Sequence, residues 1–399
     1  MSKFDFAVIG KGLIGSAAAR YLSRDGARVV VIGPDEPTQP RAHRGVFSSH
    51  YDQGRITRLI GRDPVYSKLS EMAIEQYGAI ERESELRFHF PVGMLIAQAP
   101  HVPDGHMKDP LGTARALNRT FTLYEVGNRS WRETFPYFDF PEDYSVIHEP
   151  APAGYINPRE MIRAQLACAS RSGATIVRET ATRVHATEAT RAIDTDGGNR
   201  YHADKVVIAA GAFTNFYDLL ENKLAFEPET ESIVLARVSD RDGERLAHAP
   251  TVIYLVDDTE LWDIYMTPPI RYPDGHFYIK LGANSIHDTH PMSLDAVGSW
   301  FRNGDSDQSK DALVRALRSL WPGLDFLSFE TRRCILSHTP NGYPVIDELD
   351  DGVVVAAGGN GGSAQSSDAL GHLAATVVRN EPWPRKVPRE LFKAELAAG

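Results

Sequence analysis

Val8-Ile9-Gly10-Lys11-Gly12-Leu13-Ile14-Gly15 is the stretch from which the rest of the chain is read. The residues before it, Phe4 to Ile9, form a short apolar run with β-branched members, the pattern of a buried strand. Those after it, Leu13 to Leu22 with Ala17, Ala18 and Ala19, predict a closely packed helix. The glycines between them fall at the spacing G-x-G-x-x-G. At that spacing Gly10 permits a sharp turn, Gly12 lets backbone approach a pyrophosphate, and Gly15 lets helix pack against strand. The helix N-terminus adds free N–H groups and the positive end of its dipole. A second strand is predicted over Arg28 to Ile32, so the context is βαβ and the implied ligand is a dinucleotide. A carboxylate normally ends that strand and holds a ribose hydroxyl. Here the strand runs into Gly33-Pro34, leaving Asp35, Glu36 or backbone groups for that contact.

The remainder bounds the function. At 399 residues the chain can build more than one core. Its net charge of −10 argues against nucleic acid as the main partner. No apolar stretch approaches the roughly 20 residues that span a bilayer. The first strand begins at the N-terminus with no secretory signal before it, and the only cysteines are Cys168 and Cys334. A reducing, cytoplasmic setting follows, with no membrane partner. No metal-binding spacing of Cys or His occurs.

Further along, Arg41 to Arg62 is rich in cations, including Ser49-His50-Tyr51-Asp52-Gln53-Gly54-Arg55-Ile56-Thr57-Arg58. These charges form either a solvated face or, if Arg55 and Arg58 lie on one helical turn, a shared cationic face. Tyr66 to Tyr77 reads as helix and Leu86 to Ala97 as strands, whereas 98–150, rich in Pro, Gly and Asp, reads as irregular. Asn157-Pro158 is an N-cap followed by proline at the first helical position, and the helix it opens places Cys168 in a core. Strands are expected over Ala174–Arg178, Thr180–Ala186, Arg191–Asp194 and Lys205–Ala210, the last ending at Gly211. Alternation from residue 226 to 329 predicts an antiparallel sheet with helices near Leu294–Phe301 and Asp311–Leu320. A second strand-to-helix glycine loop follows, Gly358-Gly359-Asn360-Gly361-Gly362. The fold class is α/β with an antiparallel sheet. Residues 1–85, 151–220 and 330–385 are assigned to a discontinuous nucleotide-binding domain, 86–150 and 221–329 to a substrate domain, and 386–399 to a tail.

Taken together and in order, the Gly10–Gly15 loop, Ser49 to Arg58, Ala209-Ala210-Gly211, Lys280-Leu281-Gly282, Cys334 and the Gly358–Ser367 loop resemble the FAD-dependent amine and amino-acid oxidases of the D-amino-acid-oxidase superfamily. The branch they resemble is that of monomeric sarcosine oxidase and N-methyltryptophan oxidase. The resemblance implies a glutathione-reductase-like FAD domain with an antiparallel sheet holding substrate over the flavin. It implies FAD contacts at Gly10, Gly12, Leu13, Ile14, Gly15, Asp35, Ser49, Arg55, Val184, Ala210, Gly211 and the 358–362 loop, and a covalent bond from Cys334. Arg332 and Arg333 beside that cysteine could favour its thiolate. It further implies oxygen activation at Lys280, substrate carboxylate binding at Arg58, and active-site positions for Tyr265, His50, Tyr51 and Gln365. Without the resemblance, Lys280 reads either as a functional cation in an apolar strand or as an outward solvated lysine. Departures fall in the substrate pocket. Tyr51 replaces a histidine, Asn284 another histidine, Leu336 a tyrosine and Gln365 a carboxylate-binding lysine. The expected activity is oxidation of a secondary amine or N-substituted amino acid, with O2 as acceptor, by a monomer or small homo-oligomer. A flavin dehydrogenase serving a quinone or partner protein, or a flavin subunit of a larger complex, is the alternative.

Overall fold

The computed structural model describes residues 3–102 and 109–398. In chain order the N-terminal part comprises β1 (Lys3–Ile9), α1 (Leu13–Ser23), β2 (Val29–Ile32), β3 (Arg55–Thr57), α2 (Pro64–Ser84), β4 (His89–Phe90) and β5 (Met94–Gln98). Then come α3 (Pro110–Ala116), β6 (Thr122–Tyr124), α4 (Trp131–Thr134), β7 (Ser145–Glu149), β8 (Gly154–Ile156) and α5 (Pro158–Arg171). The middle holds β9 (Thr175–Val177), β10 (Ala181–Ala186), β11 (Arg191–Thr195), β12 (Arg200–Ile208), β13 (Glu227–Val238), α6 (Asp240–Leu246) and β14 (Thr251–Leu255). The chain ends through β15 (Leu261–Arg271), β16 (Phe277–Ser285), α7 (Leu294–Asn303), α8 (Lys310–Leu320), β17 (Ser328–His338), β18 (Val345–Asp350), β19 (Val353–Ala357) and α9 (Ser367–Val378).

Two large sheets organise these elements. In the first, β1 pairs in parallel with β2 and β12, β2 continues to β9, and β12 to β19. Its central strands are buried on both faces, as continuous runs such as Val29-Val30-Val31-Ile32 require. Helices α1 and α9 pack so closely that a Cβ on Gly371 would stand 2.5 Å from Ala17 Cβ. That approach is why small residues fill one face of α1. The second sheet runs β17-β13-β16-β15-β14-β5-β7-β6, antiparallel except where β14 meets β5. A small sheet, β3-β8-β4, completes the set.

Several expectations change. Residues 98–150 carry α3, α4, β6 and β7, and both strands extend the second sheet; 103–108 lie outside the described residues. The expected helical turn at Arg55–Arg58 is instead β3, paired with β8 through Arg55↔Ile156 and Ile56↔Tyr155. Two β-branched residues between the arginines favour the strand, and the pairing secures it. The domain division drawn at residue 330 falls inside β17, which pairs along its length with β13. Asn157 caps α5 as the sequence indicates, its side chain accepting from Glu160 N, and Cys168 is fully buried. Among the described residues no helix is long and apolar enough to cross a membrane, and no group of three potential metal ligands occurs.

Candidate functional site

A single long cavity starts at the glycine loop and ends against the second sheet, offering about 320 Å³ to the centres of water molecules. At one end Gly10 adopts φ +94°, and a Cβ on Gly15 would lie 1.8 Å from Gly10 O. Only glycine fits that turn. Gly12 is the N-cap of α1 and supplies no side-chain cap, so the first N–H groups of the helix are left for a ligand. Gly10 to Ile14, Ala210, Gly211, Gly358, Gly359, Gly361 and Gly362 all line this region, and the arrangement fits a dinucleotide.

Four expected cofactor contacts lie off the cavity wall, among them Gly15, which is packed against Gly10. Asp35 is largely exposed and engaged by Lys11 and by Arg178 at 2.9 Å, while Glu36 is held by Arg159. The second strand instead offers Gly33 and Pro34 to the cavity. Val184 packs into the neighbouring apolar cluster, and the wall near its strand is made by Thr180 and Ala181. Asn360 is buried behind its loop, accepting from Thr339 N at 2.9 Å and donating to Gly358 O at 2.8 Å. It braces the glycine loop from outside the cavity.

Where the cavity meets the second sheet, a cluster of charges is buried. Asp52 accepts from Lys280 Nζ at 2.7 Å, from Tyr272 Oη at 2.7 Å and from Arg55. Those partners hold its carboxyl well below the usual range although burial opposes them. Arg55 also donates to Ser49 O at 2.8 Å and stands 3.8 Å from Cys334 Sγ. Ser49, Arg55 and Cys334 line the cavity, but Lys280 does not. Its ammonium is fully buried against Asp52 and also donates to Gly54 O, so it is neither solvated nor in the cavity wall. Burial pushes it down to about 8.

Cys334 sits on β17, its thiol pushed up to about 11 by burial, with Arg55 opposing the rise. Arg332 and Arg333 do not activate it. The first pairs with Glu330 at 2.8 Å and the second donates to Gly304 O at 2.6 Å. His50 and Tyr51 both line the cavity. His50 shares a 2.5 Å hydrogen bond with Ser48 Oγ, and burial pushes it down to about 3, so it is neutral at physiological pH.

The far wall carries the groups suited to a small polar substrate. Arg58 donates through Nε to Ile60 O at 2.9 Å, and no described protein group bonds its two terminal nitrogens. Glu149 fixes the turn after Arg58, its carboxyl accepting from Leu59 N at 2.6 Å and Ile60 N at 3.0 Å. Gln365 is 3% exposed, and its buried Oε1 has no hydrogen-bond partner among the described residues. Such a group costs stability unless a ligand completes it. Tyr265, on β15, donates from Oη to Glu231 Oε1 at 3.0 Å. It reaches β13 across β16 because Gly282 lies between. A Cβ there would come within 2.5 Å of the phenol oxygen.

Sequence reasoning passed over Asp52, Glu149 and Glu231. A glutamate opening the run Glu231-Ser232-Ile233-Val234-Leu235 is the signal that could have found the last, because an acid in a buried strand needs a partner or a role.

A family model described as FAD dependent oxidoreductase matches residues 5–377. The chain is similar to a monomeric sarcosine oxidase of Streptomyces avermitilis, 28% identical over 397 residues, covering 94% of this chain and 93% of the relative. It is also similar to an N-methyl-L-tryptophan oxidase of Yersinia pestis, 24% identical over 385 residues and covering 96% of each. Among solved structures it superposes on NikD, an amino acid oxidase of nikkomycin biosynthesis, with TM-score 0.77 at 20% identity, covering 100% of this chain and 99% of that one.

Proposed function

The chain belongs to the FAD-dependent oxidoreductase family, and from that premise we propose that it oxidises the C–N bond of a secondary amine or N-substituted amino acid to an imine, with O2 reduced to hydrogen peroxide. The carrying observation is one continuous cavity, with a dinucleotide cradle at one end and, at the other, the terminal nitrogens of Arg58, which no described protein group bonds. Bound FAD supplies the acceptor for the hydride equivalent. The protein's part is to hold the substrate. The planar fork of Arg58 suits a carboxylate, and Gln365 and Tyr265 bound the space beside it. The names of the relatives support an N-substituted amino acid as substrate. Anaerobic addition of N-alkyl amino acids, opines and simple amines should bleach the bound flavin for at least one class. If no member of the panel bleaches it, the reading is wrong.

One observation favours a second reading, a dehydrogenase passing electrons to a quinone or partner protein. The ammonium of Lys280 is spent on Asp52 and does not face the cavity. Oxygen uptake with peroxide release separates the two.

Covalent attachment through Cys334 belongs to the same proposal. Its thiol lines the cavity beside Arg55, which can stabilise the thiolate that bond formation needs. Acid-precipitated protein should stay yellow, and Cys334→Ser should release all its flavin on the same treatment. Colourless precipitate from wild-type protein would exclude the bond. We place the enzyme in the cytoplasm on its cysteine content.

A further inference from the structure

The charged groups that line the cavity are not equally available. Lys11 is engaged by Asp35 and Arg55 by Asp52, which leaves Arg58 as the lining cation whose two terminal nitrogens no described protein group bonds. Among the lining acids, Glu231 is 5% exposed and accepts one hydrogen bond, from Tyr265 Oη. No lysine, arginine or histidine among the described residues forms an ion pair with it; burial pushes its carboxyl above the usual range, and the fields of Arg55 and Lys280 oppose that rise. Both cations pair with Asp52 instead. Glu229 and Asp288 are the other acids whose fields meet Glu231, and Cys334 faces it across the β13–β17 pairing. A buried carboxyl with a single neutral donor is costly unless a ligand completes it.

The placement is built by the fold. Gly282 on β16 opens the gap through which Tyr265 crosses to β13, and that phenol fixes Glu231 Oε1. Glu231 therefore sits on the second sheet, while Arg58 stands on the segment after β3, braced by the Glu149 turn. Both line the same cavity with opposite charge.

We propose that Glu231 is the seat for the substrate's cationic nitrogen, so that the cavity selects an amino acid as its zwitterion, with Arg58 at the carboxylate and Glu231 at the nitrogen. This rests on the amine-oxidising reading above and names the ionic form that the site takes. It also separates the roles of the two lining acids that face substrate space. Asp263 lies near enough to Arg58 to act on it, whereas Glu231 stands with Tyr265.

The test uses a pair of ligands of one shape. N,N,N-trimethylglycine carries a carboxylate and a fixed cation, and 3,3-dimethylbutanoate replaces the nitrogen by carbon. Calorimetry on flavin-loaded protein should show the cationic ligand bound about tenfold or more tightly in wild type, through a Coulomb contact that a quaternary nitrogen makes without a hydrogen bond. Glu231→Gln should bring the two affinities within about twofold of each other, since it keeps the shape and removes the charge. Arg58→Ala should weaken both ligands by a similar factor. Equal affinities in wild type, or an undiminished preference in Glu231→Gln, overturn the proposal. If that variant fails to fold, an undiminished preference in Glu231→Asp, whose shorter arm withdraws the charge, overturns it as well. The outcome is independent of turnover, so it is distinct from a failure of flavin bleaching.

Discussion

Asp368→Ala is expected to lower the stability of the protein by about 3–5 kcal/mol, the cost of leaving a buried charge without its partner. Arg20 is 1% exposed and Asp368 fully buried, with Nη2 to Oδ1 at 2.7 Å. Gln165 Nε2 donates to the same oxygen at 2.7 Å, and Tyr21 Oη to the other at 2.8 Å. The carboxylate thus ties together α1, α5 and α9, the helices behind the glycine loop. Alanine would strand the guanidinium, which keeps only Gln165 Oε1, at 2.5 Å, and the face of the Tyr21 ring. Urea denaturation followed by circular dichroism measures the loss. The double variant Arg20→Leu/Asp368→Leu should recover most of it, because a buried ion pair exchanged for apolar groups is often neutral. A loss below about 1 kcal/mol in the single variant would mean that water or another group reaches Arg20.

What the sequence reveals and what it hides differ by range. The glycine loop is legible because its constraints are local: a positive φ at Gly10 and contact between Gly15 and Gly10 are written within six residues. The N-cap of α5 is legible for the same reason. By contrast, the partner of Lys280 lies 228 residues away, and only the packing of the segment before β3 against the second sheet brings Asp52 to it. The sequence marks that lysine as anomalous in its apolar strand without saying whether it meets solvent, substrate or an acid. Glu231 and Tyr265 are 34 residues apart, and their contact depends on a missing side chain on the strand between them. Arg55 and Arg58 mislead in the other direction. Charges three apart suit a helix, but Ile56 and Thr57 suit a strand, and β8 was available to pair with it. The short β6 and β7 gain their identity only from the sheet they join.

The largest kinetic effect is expected at Lys280, and it decides between the two electron acceptors. Arg55, Lys280 and Asp52 form a buried trio with one net positive charge beside the cavity. Lys280→Met keeps the volume and leaves Arg55 and Asp52 paired, so the trio becomes neutral. Asp52 still accepts from Arg55 and Tyr272, which limits the damage to the fold. Negative charge grows on dioxygen as it takes its first electron, and a fixed cation stabilises charge that appears only in the transition state. Over separations of about 4 to 8 Å, at an effective dielectric near 20, such a charge contributes about 4 to 2 kcal/mol. Reoxidation by air should therefore slow by about thirtyfold to a thousandfold. Reduction by substrate, which does not build that charge, should stay within about threefold. The wild-type profile should agree. Lysine is cationic below its folded-state value of about 8, so rapid reoxidation holds below that pH and falls as pH rises through it. In Lys280→Met the same step should be flat across that window. Stopped-flow measurement of both half-reactions reads all of this. If both keep wild-type rates, Lys280 serves only as the counter-ion of Asp52, oxygen loses its assisting cation, and the dehydrogenase reading takes precedence.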